Sequence, residues 1–169
     1  MATIMLSHEI CKEGMNFLKD NNVEVICHNT SDIRAYIDDF KRCDGYLLRM
    51  GSIDRELVLS APNLKAIGRP GVGYDTIDVK SATEQGIPVV VAPNCNSVSV
   101  AEHTISLLFA LAKNTFESIN EAYKGNYSIR NKGTSFEIAG KTIGIVGFGN
   151  IGRNVGRIAK GIGLNALAF

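Results

Sequence analysis

The chain has 169 residues, 45% of them apolar, with 18 basic and 17 acidic side chains and a net charge of +1. That supplies apolar material for one domain or two small ones, and charges so interspersed give no reason to expect a nucleic-acid or membrane partner. The longest apolar run, Ile105 to Ala112, is interrupted by Ser106 and too short to span a bilayer.

The opening residues, MATIMLSHEI, lack the basic start and long apolar centre of an export signal. Cys11, Cys27, Cys43 and Cys95 have no CxxC-type spacing, so they read as reduced thiols of a cytoplasmic protein without a metal site. From Met1 to about Val91, short apolar runs alternate with amphipathic stretches, the pattern of βα units around a parallel sheet. Strands are expected at Thr3–Leu6, Val23–Cys27, Gly45–Leu48, Leu64–Gly68 and Pro88–Val91, and helices at Glu9–Asp20, Ser31–Phe40, Asp54–Ser60 and Val79–Gln85. Pro93-Asn94 closes this series. Ser97 to about Lys124 reads as one long helix, with Ser99 and Glu102 in capping-box spacing and Ile105, Leu108, Phe109 and Ala112 at helical intervals. Gly125 to Gly140 is polar and turn-rich, an expected exposed loop.

The next stretch has a phosphate-binding mechanism built in. Thr142 to Val146 reads as a strand covered on both faces, and Gly147, Gly149 and Gly152 follow in GxGxxG spacing before a helix-compatible run, Ile151 to Ile162. The first glycine permits a tight turn, the second lets backbone approach a pyrophosphate, and the third lets the helix pack closely on the strand. The pyrophosphate would sit on N–H groups near Asn150 and Ile151, at the positive end of the helix dipole. A further strand starts at Leu164. An acidic residue for the ribose hydroxyls is expected about 20 residues past the turn, whereas the last acid in these 169 residues is Glu137.

Ligands of open parallel sheets bind beyond the carboxyl ends of the strands. After the third strand, Arg49-Met50-Gly51 offers a guanidinium that either forks an anion or stands in water at a helix start. After the fourth, Gly71, Val72 and Gly73 follow Pro70, forming an anion nest or a tight connection that needs glycine. After the fifth, Ala92 to Thr104 leads into the long helix. None of His8, His28 and His103 has an obvious carboxylate partner, so each is expected to be non-catalytic.

GRPGVGYDTIDV, the helix NSVSVAEHTISLLFALAKN and GKTIGIVGFGNIGRNVG, in this order and spacing, resemble the NAD-dependent D-2-hydroxyacid dehydrogenases over nearly the whole chain. The resemblance implies a flavodoxin-like parallel-sheet substrate domain (residues 1–96) joined by the long helix to the start of a Rossmann-like NAD-binding domain (97–169). It implies hydride transfer between NAD, or NADP, and a small D-2-hydroxy or 2-keto acid of the 3-phosphoglycerate kind, in a homo-oligomer. Arg49, Met50 and Gly51 would line the substrate, and Val72 and Gly73 would hold its carboxylate, with Val72 also bordering the nicotinamide. Thr104 would lie near the cofactor, and Gly147, Gly149, Asn150, Ile151 and Gly152 would seat the pyrophosphate.

Two positions depart from the family pattern: Asn94-Cys95 stands where small residues are common, and Tyr127 replaces a tryptophan after the long helix. The family's catalytic arginine, glutamate and histidine lie downstream of the glycine motif. The 169-residue chain is therefore expected to be an N-terminal portion, catalytically silent by itself. The alternative from another class is a truncated, nonenzymatic binding or oligomerisation module using the long helix.

Overall fold

The structure, a computed structural model, describes residues 1–169 in two compact units, Met1–Cys95 and Asn96–Phe169. The first unit is a five-stranded parallel sheet of β1 (Thr3–Leu6), β2 (Glu24–Cys27), β3 (Gly45–Leu47), β4 (Ala66–Arg69) and β5 (Val89–Val91). Its strand order is β2-β1-β3-β4-β5, the flavodoxin-like order. Ile4 pairs with Gly45, Gly45 with Ala66 and Ile67 with Val89. A crossover reverses direction between β1 and β3, so the carboxyl ends of these two strands frame the crevice where such sheets take ligands.

The core lies around Met5, Phe40, Tyr46, Leu48, Ile53, Val58 and Ile67, each 2% exposed or less. Phe40 meets Tyr46 edge to face at 5.1 Å. Helices α1 (Lys12–Asp20), α2 (Ile37–Arg42), α3 (Arg55–Ser60) and α4 (Val79–Glu84) link the strands. Asp54 accepts from the Leu57 N–H at 2.9 Å and Asp78 from the Ser81 N–H at 3.0 Å. Each cap contributes about 1 kcal/mol.

Two helices differ from expectation for local reasons. α1 starts three residues later than Glu9 because the Glu9 N–H bonds the Asn29 side chain (3.2 Å) and its carbonyl accepts from Arg49 (2.7 Å). Ser31–Phe40 splits into a 3-10 turn, Ile33–Tyr36, and α2, since Tyr36 leaves helical geometry (φ −135°, ψ 37°) and its hydroxyl pairs with that of Tyr46.

The second unit contains α5 (Ser97–Ala112), α6 (Thr115–Tyr123), β6 (Thr142–Ile145), α7 (Asn150–Gly161) and β7 (Asn165–Ala168), with β6 and β7 parallel. The expected single helix Ser97–Lys124 is therefore two. Asn114 adopts the left-handed conformation (φ 50°), which asparagine tolerates, and residues 134–136 replace the next helical turn. Phe136 N–H and Ser135 Oγ donate to the carbonyls of Ala112 and Lys113, both at 2.9 Å, and Asn114 Nδ2 donates to Thr134 Oγ1 at 3.0 Å.

The Ser99–Glu102 capping box does not form. The helix starts at Ser97 with Asn96 at its cap position, which leaves Ser99 inside the first turn. The expected loop 125–140 contains a 3-10 turn, Tyr127–Lys132, with Asn126 accepting from the Ser128 N–H at 3.2 Å. The core of this unit gathers Ala101, Ile105, Ala112, Ile138, Ile145, Val155, Ala159 and Leu164. It covers one face of the β6–β7 pair. The other face carries Val146 (90% exposed), Leu167 and Phe169, so the glycine-motif strand is not covered on both sides as expected. No helix is long and apolar enough to cross a membrane.

Candidate functional site

At the β1/β3 crevice, backbone and side chains lock together. Ser7, fully buried just past β1, accepts the N–H of Arg49 at 2.9 Å and of Met50 at 3.2 Å. Arg49 Nη1 donates to the Glu9 carbonyl at 2.7 Å, and no partner within the chain engages its Nε or Nη2. The fork expected of Arg49 is thus half engaged, which fixes the direction of the remaining N–H groups. Gly51 has φ +102°, and a Cβ there would lie 2.4 Å from the Ser31 carbonyl oxygen. Only glycine fits that approach. Met50 is 56% exposed at the rim.

The turn after β4 is tied to the same crevice by a residue not singled out from the sequence. Arg69 donates through Nε to the Gly73 carbonyl (2.9 Å) and through Nη1 to the carbonyls of Leu48 (3.0 Å) and Arg49. Arg49, Met50 and Gly51 are thereby joined to Val72 and Gly73. The nest expected at Gly71–Gly73 is smaller than the sequence implied: neither glycine has positive φ, and the Gly71 N–H is engaged by the Arg69 carbonyl at 2.7 Å. Two N–H groups, of Val72 and Gly73, stay without a partner in the chain, on an exposed turn. The arrangement offers N–H donors and a part-engaged guanidinium, which is what a carboxylate or phosphate oxygen requires.

In the second unit, Gly147 takes φ +94° and its N–H bonds the Phe169 carbonyl at 2.8 Å. A Cβ on Gly152 would stand 2.2 Å from the Gly147 carbonyl oxygen and 3.2 Å from Ile145 Cγ2, so the third glycine lets α7 press onto the turn. A Cβ on Gly149, the residue before α7, would meet nothing within 4 Å. In the first turn of α7 Ile151 is exposed and Gly152 buried, and the leading N–H groups of a helix have no carbonyl four residues back to accept them. Asn150 opens the same turn. The open space at Gly149 and the 12-residue helix that starts beside it fit a pyrophosphate. Thr104 lies exposed on α5, its hydroxyl donating to the Val100 carbonyl at 2.8 Å.

One histidine differs from expectation. His28 has a carboxylate partner, Asp39, at 2.9 Å, and its ring stacks on Tyr36 with centroids 4.2 Å apart. The sequence hid this pair because it joins the end of edge strand β2 to α2, eleven residues on. His8 adjoins the crevice with Nδ1 buried and unpartnered. His103 is exposed on α5. Cys43 is fully buried, and burial pushes its thiol up to about 11, leaving it inert.

Residues 4–144 match the family described as D-isomer specific 2-hydroxyacid dehydrogenase, catalytic domain. D-3-phosphoglycerate dehydrogenase of Archaeoglobus fulgidus is 33% identical over 167 residues, and that of Methanocaldococcus jannaschii 35% over 171, covering 98% and 100% of this chain. The chain spans 32% of the length of each of these curated relatives. Among solved structures, an NAD-dependent formate dehydrogenase from Staphylococcus aureus in complex with NAD superposes with a TM-score of 0.84 at 26% identity, over 99% of this chain and 56% of that one. The NAD+-bound 3-phosphoglycerate dehydrogenase of Entamoeba histolytica gives 0.79 at 25%, over 99% and 53%. On the match of residues 4–144, the chain belongs to the D-isomer-specific 2-hydroxyacid dehydrogenase family.

Proposed function

We propose that this chain carries the acid-binding unit and the pyrophosphate-binding turn of a dehydrogenase that exchanges a hydride between NAD and a small D-2-hydroxy acid, with 3-phosphoglycerate the preferred candidate. Residues 1–96 act as the substrate unit, and 97–169 as the connecting helices and first βαβ of the NAD-binding unit. The observation that carries the reading is the glycine turn, where Gly152 approaches Gly147 closely, Gly149 borders open space and a 12-residue helix begins.

Gly147, Gly149, Asn150, Ile151 and Gly152 hold the dinucleotide, which when bound supplies the hydride acceptor. The N–H groups of Val72 and Gly73 hold the carboxylate, with Val72 beside the nicotinamide and Thr104 nearby. Arg49, Met50 and Gly51 line the rest of the acid, where Nε and Nη2 of Arg49 suit a phosphate. NAD rather than NADP is supported by the bound cofactors named for the Staphylococcus and Entamoeba structures, and a phosphorylated acid by the two relatives' names.

The test is spectrophotometric. The protein carrying this chain with a complete nucleotide-binding unit should reduce NAD with 3-phosphoglycerate faster than with D-lactate or D-glycerate, and faster than it reduces NADP. No turnover with any D-2-hydroxy acid would end the reading. The 169-residue chain alone should show none, and activity above background would contradict that part.

A homo-oligomer is part of the proposal, because α5 and α6 expose Leu111 (76%), Phe116 (66%) and Tyr123 (89%). Light scattering that reports a clean monomer would remove it.

A further inference from the structure

We infer that His8 is a specificity-determining contact for the phosphate of the acid, donating from its outer ring nitrogen beside the unengaged side of the Arg49 fork; this rests on the reading above, in which the Arg49–Gly51 loop lines that acid. Backbone and neighbours bring His8 to this place. Ser7 Oγ accepts the N–H groups of Arg49 at 2.9 Å and Met50 at 3.2 Å, and the Glu9 carbonyl accepts from Arg49 Nη1 at 2.7 Å. The residue before His8 and the residue after it are thus both bonded to Arg49. Two further bonds pin the same stretch: the Ser7 N–H donates to the Leu47 carbonyl at 3.1 Å, and the Glu9 N–H to the Asn29 side chain at 3.2 Å.

The His8 ring has a different status from its neighbours. Its Nδ1 is buried and has no hydrogen-bond partner. The residue as a whole is half-buried, so the Nδ1 edge is turned inward and the opposite edge, which carries Nε2, is left to face outward. Burying an unpaired polar atom costs free energy, and an apolar side chain of similar size at position 8 would avoid that cost. Packing therefore does not account for a histidine here. A local conflict of this kind is kept where function uses the rest of the group.

The orphaned atom also indicates what the ring offers. A neutral imidazole carries its proton on one nitrogen only. Nothing accepts a proton at Nδ1, so the proton belongs on Nε2, where a ligand oxygen can take it. That makes the outer edge a hydrogen-bond donor, next to the Arg49 guanidinium. On the reading above, the carboxylate of the acid is held by Val72 and Gly73, which leaves the phosphate, with its several acceptor oxygens, for Arg49 and His8 together.

The test titrates the isotope-labelled 169-residue chain and its His8→Leu and His8→Gln variants with 3-phosphoglycerate, D-glycerate and inorganic phosphate. Binding is followed at the Met50 and Gly51 amide resonances, and the urea midpoint of each variant is measured alongside. His8→Leu should weaken 3-phosphoglycerate binding about tenfold, the equivalent of one hydrogen bond to a charged group. Its affinity for D-glycerate should stay within about twofold of the parent, and its urea midpoint should be unchanged or raised, because the unpaired nitrogen is gone. His8→Gln, whose amide donates from about the place of Nε2, should recover part of the lost affinity.

Parent-like 3-phosphoglycerate binding in His8→Leu would overturn the contact and leave the loop as the acid site. A lowered urea midpoint with equal losses for 3-phosphoglycerate and D-glycerate would make His8 a packing residue, and would overturn it too. If 3-phosphoglycerate and inorganic phosphate leave Met50 and Gly51 unmoved in the parent chain, the assignment of this loop to the acid fails, and the contact falls with it.

Discussion

Arg69 and Gly73 are joined by a 2.9 Å hydrogen bond from the guanidinium Nε to the glycine carbonyl, while Nη1 of the same group holds the Leu48 carbonyl at 3.0 Å. One planar fork therefore ties the turn after β4 to the end of β3, placing Val72 and Gly73 at the same crevice as Arg49. Lysine keeps the charge but cannot span both acceptors with fixed geometry. Arg69→Lys should cost about 1–2 kcal/mol in urea unfolding and raise KM for the acid more than it lowers kcat. Parent-like values for both would mean the tether is dispensable.

Gly149 and Gly152 of the nucleotide turn should separate by mechanism. At Gly152 an added methyl meets the Gly147 carbonyl oxygen at 2.2 Å, so backbone must move. Gly152→Ala should destabilise the second unit by about 1–3 kcal/mol. Gly149→Ala adds its methyl into open space at φ −78°, and should leave thermal stability unchanged while weakening dinucleotide binding. Melting curves and NADH titrations of the two variants check this. Equal stability losses would remove the distinction.

Gly51 makes a parallel case in the first unit. Its φ of +102° and the Ser31 carbonyl oxygen 2.4 Å from an ideal Cβ combine strain with a clash. Gly51→Ala should lower stability by about 2–3 kcal/mol, measured by urea midpoint. A loss under about 0.5 kcal/mol would show that the loop relaxes freely.

Acid should unfold the first unit in a defined direction. The Arg34 guanidinium first, and then the Leu57 N–H, hold Asp54 below the usual carboxylate range; the Ser81 N–H does so for Asp78, and Lys65 for Asp44. A carboxylate depressed in the folded state binds protons less readily than in the unfolded chain. Its stabilisation is thus complete above the unfolded value, near 4, and is lost as pH falls through the folded value. The urea midpoint should be flat from about pH 8 to 5 and fall below about 4. Asp54→Asn and Asp78→Asn, which can still cap but cannot take up a proton, should shallow that fall. An unchanged slope would assign acid unfolding to other groups.

The sheet was legible because each strand is a short apolar run bounded by turn residues, and the glycine turn because its spacing follows a strand. What stayed hidden depends on contacts between distant residues. Ser7 looks like an ordinary serine until Arg49 and Met50, more than 40 residues away, donate to it. Arg69 sits inside a motif whose glycines draw the eye, yet its side chain gathers the turn. The break at Asn114 depends on residues 134–136 supplying bonds that a continuing helix would otherwise make, and helical periodicity runs through it unaltered. The same limit hid the His28–Asp39 pair. The open face of β6 and β7 went unforeseen because an apolar strand sequence does not say how many elements cover it.

The pyrophosphate seat proposed at the glycine turn is tested most directly by titrating the isotope-labelled 169-residue chain with NADH. The expected result, on the proposal that residues 97–169 supply the first βαβ of the NAD-binding unit, is saturable movement of the Gly149, Ile151 and Gly152 amide resonances with weak affinity of about 0.1–10 mM. No movement at those three amides at saturating NADH, or shifts confined to the rest of the chain, would contradict it.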